Sequence, residues 1–362
     1  MTSGRTVIVG FETTCDETGC AVVADGRDVL SNIVATQFEL HARFGGVVPE
    51  IASRAHLEAI NTVLAEALEQ AGIGPGDVAA VAVAHQPGLI GSLLIGLMAA
   101  KTAAWVWDRP LVGVNHIHAH AYAPALDAEP IDYPAVALIA SGGHTSLYHV
   151  RGPTEMELMG STIDDAAGEA FDKVAAILGV GFPGGPAIDR AARGGDPKAV
   201  KFPRALGKGQ SLDFSFSGLK TAVLYHVRGV PGAVREGDQA AGLARAEVRP
   251  DAAAGREQNP LEIANVAASF QAAVVDTLTI KLRRAAKLVA ARSLIIGGGV
   301  AANSALRASV TTLAAKLRAA VRMPAMKYCV DNAAMTAGVA FHHLRAGMTD
   351  NLELPAQATV RK

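Results

Sequence analysis

Three histidines lie within five residues of one another, directly after a short apolar run at 111–114: His116, His118 and His120. On a helix, side chains four positions apart lie on one face, so His116 and His120 could chelate one metal ion while His118 points elsewhere. In an extended segment all three would lie on one face instead. A zinc protease of the HExxH type needs glutamate directly after the first histidine, and Ile117 holds that position. The spacing predicts a metal site that lacks the base of a metallopeptidase.

Two imidazoles leave a metal ion under-coordinated, and Asp331 is the candidate for a third ligand. It follows a short apolar run at 328–330, much as His116 follows the run at 111–114. Two histidines and one carboxylate with open positions suit Fe(II) or Zn(II). Asp331 could also cap the N-terminus of a helix predicted at 333–344.

Acidic side chains crowd the turn after the first apolar run of the chain: Glu12, Asp16 and Glu17. Three carboxylates in six residues repel one another unless a cation or a basic ligand lies among them, or unless the turn is solvated. Both interpretations stay open from the sequence.

Three glycine-rich segments could bring backbone N–H groups close to a ligand. They are 141–145 (SGGHT), 182–186 (FPGGP, with Asp189 soon after) and 297–303 (GGGVAAN). The last joins a strand to a helix but is neither GxGxxG nor GxxxxGK[ST], so neither a dinucleotide fold nor a P-loop is indicated. Each segment alone is also typical of a plain structural turn.

The elements that position these residues alternate between short apolar runs and helical stretches, which predicts an α/β protein. The order of hairpin, strand–glycine–helix and strand–polar end occurs twice along the chain. This repeat predicts two similar halves, residues 1–133 and 134–362, that face each other across a cleft. The predicted strands are 6–11, 20–24, 79–84, 111–114, 135–140, 146–150, 293–296 and 328–330.

Composition sets broad limits on the function. The 362 residues are 50% hydrophobic and 19% charged, with a net charge of −1, so a strongly basic binding protein is excluded while a local basic face is not. Basic side chains that could contact nucleic acid are Arg43, Arg54, Lys201, Arg204, Lys208 and Lys220. Three cysteines argue against a disulfide framework and fit a reducing cytoplasm.

Two further segments bear on the organisation of the chain. The apolar run at 78–100 is interrupted by His-Gln-Pro-Gly, so it predicts a strand, a turn and a buried helix rather than a membrane span, and we expect no membrane partner. The first apolar run is too short for a signal peptide. Residues 226–259 lack sustained periodicity and predict a surface insertion, and apolar residues at helical spacing then predict a long helix at 263–282.

In their shared order, these motifs resemble those of the bacterial tRNA N6-adenosine threonylcarbamoyltransferases, formerly called O-sialoglycoprotein endopeptidases. The similarity covers most of the chain, although each motif alone is a weak signal. The segments that carry it are 10–18 (GFETTCDET), 46–50 (GVVPE), 88–89 (GL), 115–120 (NHIHAH), 141–145, 168–173 (GEAFDK), 183–186 (PGGP), 214–220 (FSFSGLK), 297–303 and 331–332 (DN).

The resemblance implies a duplicated actin-like, Hsp70-like (ASKHA) ATPase fold. It implies transfer of a threonylcarbamoyl group from threonylcarbamoyl-adenylate to N6 of adenosine 37, in tRNAs that read codons beginning with A, with release of AMP. It implies one divalent ion on His116, His120 and Asp331, with iron(II) expected first and zinc(II) as the alternative. Partners would be tRNA, an inactive paralogue of the N-terminal half and a small P-loop ATPase. By the same resemblance the adenylate would be held by Ile139, Ala140, Ser141, Gly142, Gly143, Asp172, Gly185, Asp189 and Asn303.

The chemistry of that reaction suggests further roles. AMP is a good leaving group but the adenine amine is a poor nucleophile, so a base that takes the amine proton would help. We predict Asp16 for this role, with Glu12 as second choice. Two alternatives come from other classes: a small-molecule kinase of the ASKHA fold, which would not require the histidine pair, and a metallopeptidase, which would require the missing glutamate. A non-catalytic paralogue would lack the metal ligands.

Overall fold

Two five-stranded sheets of the same topology make up the framework of the protein. The computed structural model describes residues 4–207, 209–229 and 259–359. Along the first sheet the order is β3-β2-β1-β4-β5, and along the second it is β8-β7-β6-β9-β10. Matching each strand to the one five positions later makes the two orders identical, which confirms the repeat and the α/β class. The strands are β1 (Val7–Glu12), β2 (Glu17–Ala24), β3 (Asp28–Thr36), β4 (Ala80–Gln86), β5 (Leu111–Asn115), β6 (Ala135–Ala140), β7 (Thr145–Gly152), β8 (Glu155–Ser161), β9 (Ser293–Gly297) and β10 (Ala320–Arg322).

Strand direction brings the polar turns to one edge of each sheet. In the first sheet β4 runs parallel to β1, and β5 runs parallel to β4, whereas β1 and β2 form an antiparallel hairpin. The second sheet repeats this with β6, β9, β10 and the β6–β7 hairpin. Parallel strands end at a common edge, so the residues that follow β1 and β5 lie together, as do those that follow β6 and β9.

Helices cover both sheets on both faces. Within the described residues they are α1 (Phe38–Ala42), α2 (Pro49–Ala71), α3 (Ile90–Trp107), α4 (His116–Tyr122), α5 (Ala167–Leu178), α6 (Gly184–Ala191), α7 (Ser217–Arg228), α8 (Pro260–Leu288), α9 (Ser304–Leu317) and α10 (Ala333–Arg345). Side chains of β1 alternate between faces, as a strand requires. Val7 and Val9 pack in one core cluster with residues of α2 and α3, while Ile8 packs in another with residues of α10.

Two helices are exchanged between the halves. Helix α4 follows β5 of the first sheet but contacts β6 and β9 of the second, and α10 follows β10 but contacts β1, β2 and β4 of the first. A Cβ at Gly10 would lie 2.7 Å from the carbonyl oxygen of Ala333 and 2.9 Å from Cβ of Ala337, so glycine is what allows α10 to approach β1 this closely. Helices α4 and α10 also contact each other. Their N-terminal ends therefore meet between the two sheets.

The strand predicted at 328–330 is wrong. The last strand of the second sheet is β10, and Met326–Tyr328 forms a 3-10 turn instead. The run at 328–330 has the apolar character of a strand because Tyr328 is fully buried. The Tyr328 hydroxyl donates a hydrogen bond to Asp127 Oδ2 over 2.6 Å. The sequence of β10 is only Ala-Val-Arg, and it is half-buried, so it carries no alternation to detect. The edge strands β3 and β8 were also not predicted.

Three further predictions concern the segments at 78–100, 263–282 and 226–259. The run at 78–100 contains β4, a turn and the start of α3, as predicted, and the helix at 263–282 lies within α8. By length and composition alone α3 and α8 could cross a membrane, although α8 is mainly buried in this fold and α3 packs against the first sheet. The predicted start of the insertion at 226 is wrong, because His226 and Arg228 belong to α7. Residues 230–258 lie outside the described residues, so the insertion there stays a prediction.

All described strands of the first sheet precede residue 133 and all those of the second follow it. The division at 133/134 nevertheless stays a prediction, since α10 and the C-terminal segment return to the first half. There the backbone N–H of Gly113 donates to Asp350 Oδ2 over 2.8 Å, and that of Gln357 donates to the carbonyl of His85 over 2.9 Å.

Candidate metal centre and substrate cleft

A short helix places two imidazoles beside a carboxylate. Helix α4 begins immediately after β5 because Asn115 caps it, its Oδ1 accepting the backbone N–H of Ile117 over 2.8 Å. One turn then brings the rings of His116 and His120 to a centroid distance of 4.6 Å, nearly perpendicular. Asp331 Oδ1 lies 3.0 Å from Nε2 of His120 and 3.6 Å from Nε2 of His116. The structure therefore brings the three predicted ligands together, with their ligand atoms all within 4.8 Å of one another.

The surroundings of the two rings fit a metal ion at this point. Nδ1 of His116 lies 3.1 Å from Oε2 of Glu12, and a carboxylate can only accept, so Nδ1 carries the proton and the Nε2 lone pair is directed to the side of Asp331. Nδ1 of His120 is buried without a hydrogen-bond partner in the described part of the chain, so that ring is engaged only through Nε2. Two imidazole nitrogens and one carboxylate oxygen are donors that suit Fe(II) or Zn(II).

The carboxylates and imidazoles of this group stabilise each other's charged forms. Burial lowers the pKa of His116, but the carboxylates of Glu12 and Asp331 outweigh it and raise that pKa to about 9. Burial would raise the pKa of Asp331, but His116 and His120 hold it well below its usual range. A divalent cation can replace the imidazole proton in the same electrostatic environment, so binding releases a proton.

His118 faces away from this group. Its ring packs edge-on against Tyr148 with centroids 5.9 Å apart. Burial and the nearby His343 lower the pKa of His118 to about 4. The helical alternative of the sequence analysis is therefore confirmed, and the extended one, with three histidines on one face, is wrong.

The alternative role for Asp331 as a helix cap is also wrong. Asn332 caps α10, with its Oδ1 accepting the backbone N–H of Met335 over 3.2 Å. Because the neighbouring amide takes the capping role, the carboxylate of Asp331 is left to face the histidines.

Glu12 lies behind the metal group rather than in the open cleft. Its side chain is fully buried and accepts from the backbone N–H of Thr14 (2.9 Å) and the hydroxyl of Thr336 (3.2 Å), in addition to His116. Thr336 belongs to α10, so β1, α4 and α10 all converge on this one carboxylate. Such engagement favours a positioning role over proton transfer.

Asp16 and Glu17 form a carboxylate pair at the mouth of the same region. Both are half-buried. Burial, with the carboxylates of Asp331 and Asp16, raises the pKa of Glu17 to about 9. Across from them, burial raises the pKa of Asp172, the N–H of Gly184 opposes this, and the carboxylates of Glu169 and Asp16 add to the rise. The acidic turn of the first half therefore faces α5 of the second.

The glycine-rich turns divide into packed and open positions. A Cβ at Gly168 would lie 2.5 Å from the carbonyl oxygen of Ser141, and one at Gly184 or Gly298 would collide with backbone atoms of Asp172 or Ala140. These glycines are there for close packing. By contrast, nothing lies within 4 Å of a Cβ built at any of three others, which therefore present open backbone: Gly142, Gly143 and Gly185.

Asp189 and Asn303 meet on the same side as the open turns. Asn303 caps α9, and its Nδ2 donates to Gln271 Oε1 over 2.8 Å and to Asp189 Oδ1 over 3.5 Å. Ser304 donates its hydroxyl to the same Asp189 oxygen over 2.7 Å. Ile139 and Ala140 end the buried strand β6, where Ile139 pairs with Gly297. A Cβ at Gly297 would collide with the carbonyl oxygen of His120, so the glycine turns adjoin the metal group.

Comparison with known proteins decides the family. The sequence pattern of the tRNA N6-adenosine threonylcarbamoyltransferases matches residues 28–338. The chain belongs to this family. A protein of that name from Anaeromyxobacter dehalogenans is 47% identical over 98% of this chain and 99% of the relative, and one from Thermomicrobium roseum is 49% identical over 97% and 96%. The resemblance inferred from the motifs is confirmed.

The fold also has whole-chain counterparts among solved structures. Component A of the (R)-2-hydroxyglutaryl-CoA dehydratase from Acidaminococcus fermentans aligns over 94% of this chain and 99% of its own, with a TM-score of 0.50 and 14% identity. At that identity the likeness concerns the fold alone, which is the actin-like ATPase fold predicted for the threonylcarbamoyltransferase family. Membership in that family makes the chain a tRNA-modifying transferase and does not favour the kinase or metallopeptidase alternatives.

Two side chains near the metal group were quoted in the sequence motifs without a role. Glu17 is one of the three acidic residues in the first turn. The sequence signal that could have singled it out is its position directly after Asp16. His144 closes the SGGHT turn of this threonylcarbamoyltransferase family member. Burial and the imidazoles of His116 and His120 lower the pKa of His144 to about 4 against the opposing effect of Asp331, so it adjoins the predicted ligands.

Proposed function

We propose that the chain transfers a threonylcarbamoyl group from threonylcarbamoyl-adenylate to N6 of adenosine 37, in tRNAs that read codons beginning with A, and releases AMP. The observation that carries this proposal is family membership over most of the chain together with an intact His116, His120 and Asp331 group at the junction of the halves.

His116, His120 and Asp331 would hold one divalent ion, iron(II) with zinc(II) as the alternative. When bound, such an ion supplies Lewis-acid polarisation of the carbamoyl carbonyl. Glu12 fixes the tautomer and orientation of His116 through Nδ1, which keeps Nε2 available.

The adenylate would lie along the open glycine turns. The exposed backbone at Gly142 and Gly143 and the start of α6 at Gly185 suit an anionic phosphate, because N–H groups at a helix N-terminus favour negative charge. Asp189 and Asn303 offer a carboxylate and an amide to the hydroxyls of the ribose. Ile139, Ala140 and Ser141 form the floor of this site, and Asp172 fixes the position of α6 through the N–H of Gly184 over 2.7 Å.

Asp16 is the base in this proposal. As N6 of the adenosine bonds to the carbamoyl carbon, a proton of the amine passes to the carboxylate of Asp16, and the bond from that carbon to the phosphate oxygen breaks to release AMP. Glu17, with its raised pKa, holds a proton beside Asp16 and limits the repulsion between the two carboxylates.

A protein partner is expected at α2 and α3. Ile90, Leu94, Met98 and Trp105 lie four, four and seven residues apart on α3 and are all exposed, Trp105 by 73%. Leu57 of the adjoining helix α2 is 62% exposed. This apolar stripe suits an inactive paralogue of the N-terminal half, and Leu94→Glu with Met98→Glu should abolish its co-elution without lowering the melting temperature. The proposal includes a small P-loop ATPase as a further partner, and it places the reaction in the cytoplasm.

Single-turnover transfer tests the function directly. The metal-loaded chain with its partners is mixed with tRNA and preformed threonylcarbamoyl-adenylate, and the digested nucleosides are analysed by mass spectrometry for an adenosine carrying the added group. We expect this nucleoside together with an equal amount of AMP. Absence of both, with metal content and complex formation intact, would overturn the proposal; ADP formation from ATP and a small alcohol would support the kinase alternative.

A further inference from the structure

One stretch of the chain carries a charge unlike the rest. Between Asp276 and Asp331 there are ten Lys and Arg and not one Asp or Glu, although the whole chain has a net charge of −1. The ten are Lys281, Arg283, Arg284, Lys287, Arg292, Arg307, Lys316, Arg318, Arg322 and Lys327. The remainder of the chain is therefore acidic on balance, and this stretch is where a polyanion would meet the least repulsion.

Most of these cations are used within the fold. Lys281, Arg284 and Arg307 donate to backbone carbonyls. Arg292 and Arg322 pair with Asp132, and Lys327 pairs with Asp127. Four remain, exposed and without a carboxylate partner in the described part of the chain: Arg283, Lys287, Lys316 and Arg318.

Three of these four cations, Arg283, Lys287 and Lys316, line one groove. It has a volume of about 590 Å³ and runs between α8 and α9, with Thr279, Arg283 and Lys287 on one side and Ser309, Thr312 and Lys316 on the other. None of its lining residues is acidic. Ammonium, guanidinium and hydroxyl donors are the groups with which proteins hold a nucleic-acid backbone.

The groove leads away from the proposed substrate site. Gln271 of α8 meets Asn303 at the start of α9, and both helices run on from that contact in the same general direction. Lys287 lies sixteen residues beyond Gln271, and Lys316 lies thirteen beyond Asn303. At 1.5 Å per residue the cations are roughly 20–24 Å from the contact, which is a span suited to a substrate much larger than a nucleotide.

Resting on the proposed function, we propose that the α8–α9 groove binds the sugar-phosphate backbone of the tRNA at a distance from the nucleotide being modified. Three of the six basic residues suggested by the sequence fit this role less well, since Arg54 pairs with Glu50, Arg204 with Asp276 and Lys220 with Asp165. The lining presents three cations and three hydroxyls with no carboxylate among them, which favours the phosphates and sugar hydroxyls of an RNA backbone.

Salt-dependent tRNA binding tests the groove. The variant Arg283→Ala, Lys287→Ala, Lys316→Ala is compared with Arg5→Ala, Arg151→Ala, Arg345→Ala, which removes the same charge from exposed positions elsewhere. The Kd is measured by fluorescence anisotropy across a salt series. Each lost phosphate contact should reduce the slope of log Kd against log salt by about 0.7–1, so we expect a fall of about 2–3 for the groove variant and an unchanged slope for the control. At low salt the Kd of the groove variant for tRNA should rise at least tenfold, which corresponds to a loss of roughly 1.4 kcal/mol of binding free energy.

A charge-preserving variant, Arg283→Lys, Lys287→Arg, Lys316→Arg, should keep the wild-type slope, which separates charge from packing. Equal melting temperatures show that the variants are folded. A groove variant whose slope and Kd match those of the control overturns the proposal and leaves an acidic protein as the occupant. The salt slope is measured by binding and does not require that product forms. If the wild type transfers the group but the groove variant binds tRNA as the wild type does, this inference alone is wrong. If the wild type shows no transfer, only the proposed function is wrong.

Discussion

Oε2 of Glu12 lies 3.1 Å from Nδ1 of His116, on the opposite side of the ring from Asp331. Three elements distant in sequence meet at this carboxylate, because Thr336 of α10 also donates to it. The pair therefore holds β1, α4 and α10 in register with the metal group, and it can be tested separately from the ligands themselves.

Replacing this acceptor should weaken metal binding without removing a ligand. For Glu12→Gln we expect the affinity for the ion to fall about 10–100-fold, as is typical when a carboxylate behind a metal-bound histidine is lost. The measurement is competition with a chelator of known affinity. Glu39→Gln, at an exposed position of α1, is the control. Unchanged affinity in the Glu12 variant would contradict the positioning role.

Removing both imidazoles should empty the site. The variant His116→Ala, His120→Ala is expected to lose nearly all bound ion by elemental analysis, because one carboxylate cannot hold it alone. His118→Ala is a matched control on the same helix, since its ring packs on Tyr148 instead. Full metal content in the double variant would refute the ligand assignment.

Asp16→Asn separates catalysis from binding. The amide keeps the size of the side chain but cannot accept a proton, so the single-turnover transfer rate at saturating tRNA should fall by about 10²–10⁴-fold. Adenylate affinity and metal content should stay near those of the wild type. A rate loss under about threefold would exclude Asp16 as the base.

The pKa of Glu17 predicts how the stability of the metal-free chain depends on pH. With a pKa of about 9 when folded and an ordinary carboxyl value when unfolded, the folded chain binds an additional proton between these values. Its stability should therefore decline as pH rises from about 5 towards 9, and Glu17→Gln should flatten that decline. Urea denaturation midpoints in the presence of a chelator measure this. A pH profile unaffected by the substitution would show that Glu17 is ionised in the folded chain.

Two adjacent glycines distinguish packing from ligand binding. A Cβ at Gly184 collides with the backbone of Asp172, whereas one at Gly185 meets nothing within 4 Å. Gly184→Ala should destabilise the fold by about 1–3 kcal/mol. Gly185→Ala should leave the melting temperature unchanged and raise the Kd for AMP, measured by calorimetry. The reverse pattern would remove Gly185 from the proposed adenylate site.

Local patterns predicted most of the elements around the site. The runs ending at Phe11 and Ala140 are recognisable because they are almost continuously apolar and are followed by polar turns. The i, i+4 spacing of His116 and His120 anticipated their shared face. Asp331 was found through its equivalent place in the repeat, although the strand assumed to precede it does not exist.

Other features depend on contacts that no local pattern encodes. The exchange of α10 depends on Gly10 lying against Ala333, and that of α4 on Gly297 lying against His120, residue pairs that are far apart in sequence. The positioning role of Glu12 likewise depends on a tertiary contact, with His116. The sequence shows only an acidic side chain in a turn, which fits a base equally well. Edge strands such as β8 are half exposed on both faces, so they lack the alternation that reveals a strand.

The exchanged helices also determine how the halves can move. Since each sheet is covered by a helix that continues from the other half, pulling the sheets apart would expose both apolar helix faces, whereas a rotation about the crossing of α4 and α10 would expose neither. The crossing would then act as the pivot, and His120 and Asp331 lie beside it. Such a rotation would change the gap between Asp16 on the first half and the open glycines Gly142 and Gly143 on the second, because these residues belong to different halves. A hinge of this kind would let a nucleotide enter and leave while His120 and Asp331 stayed in contact.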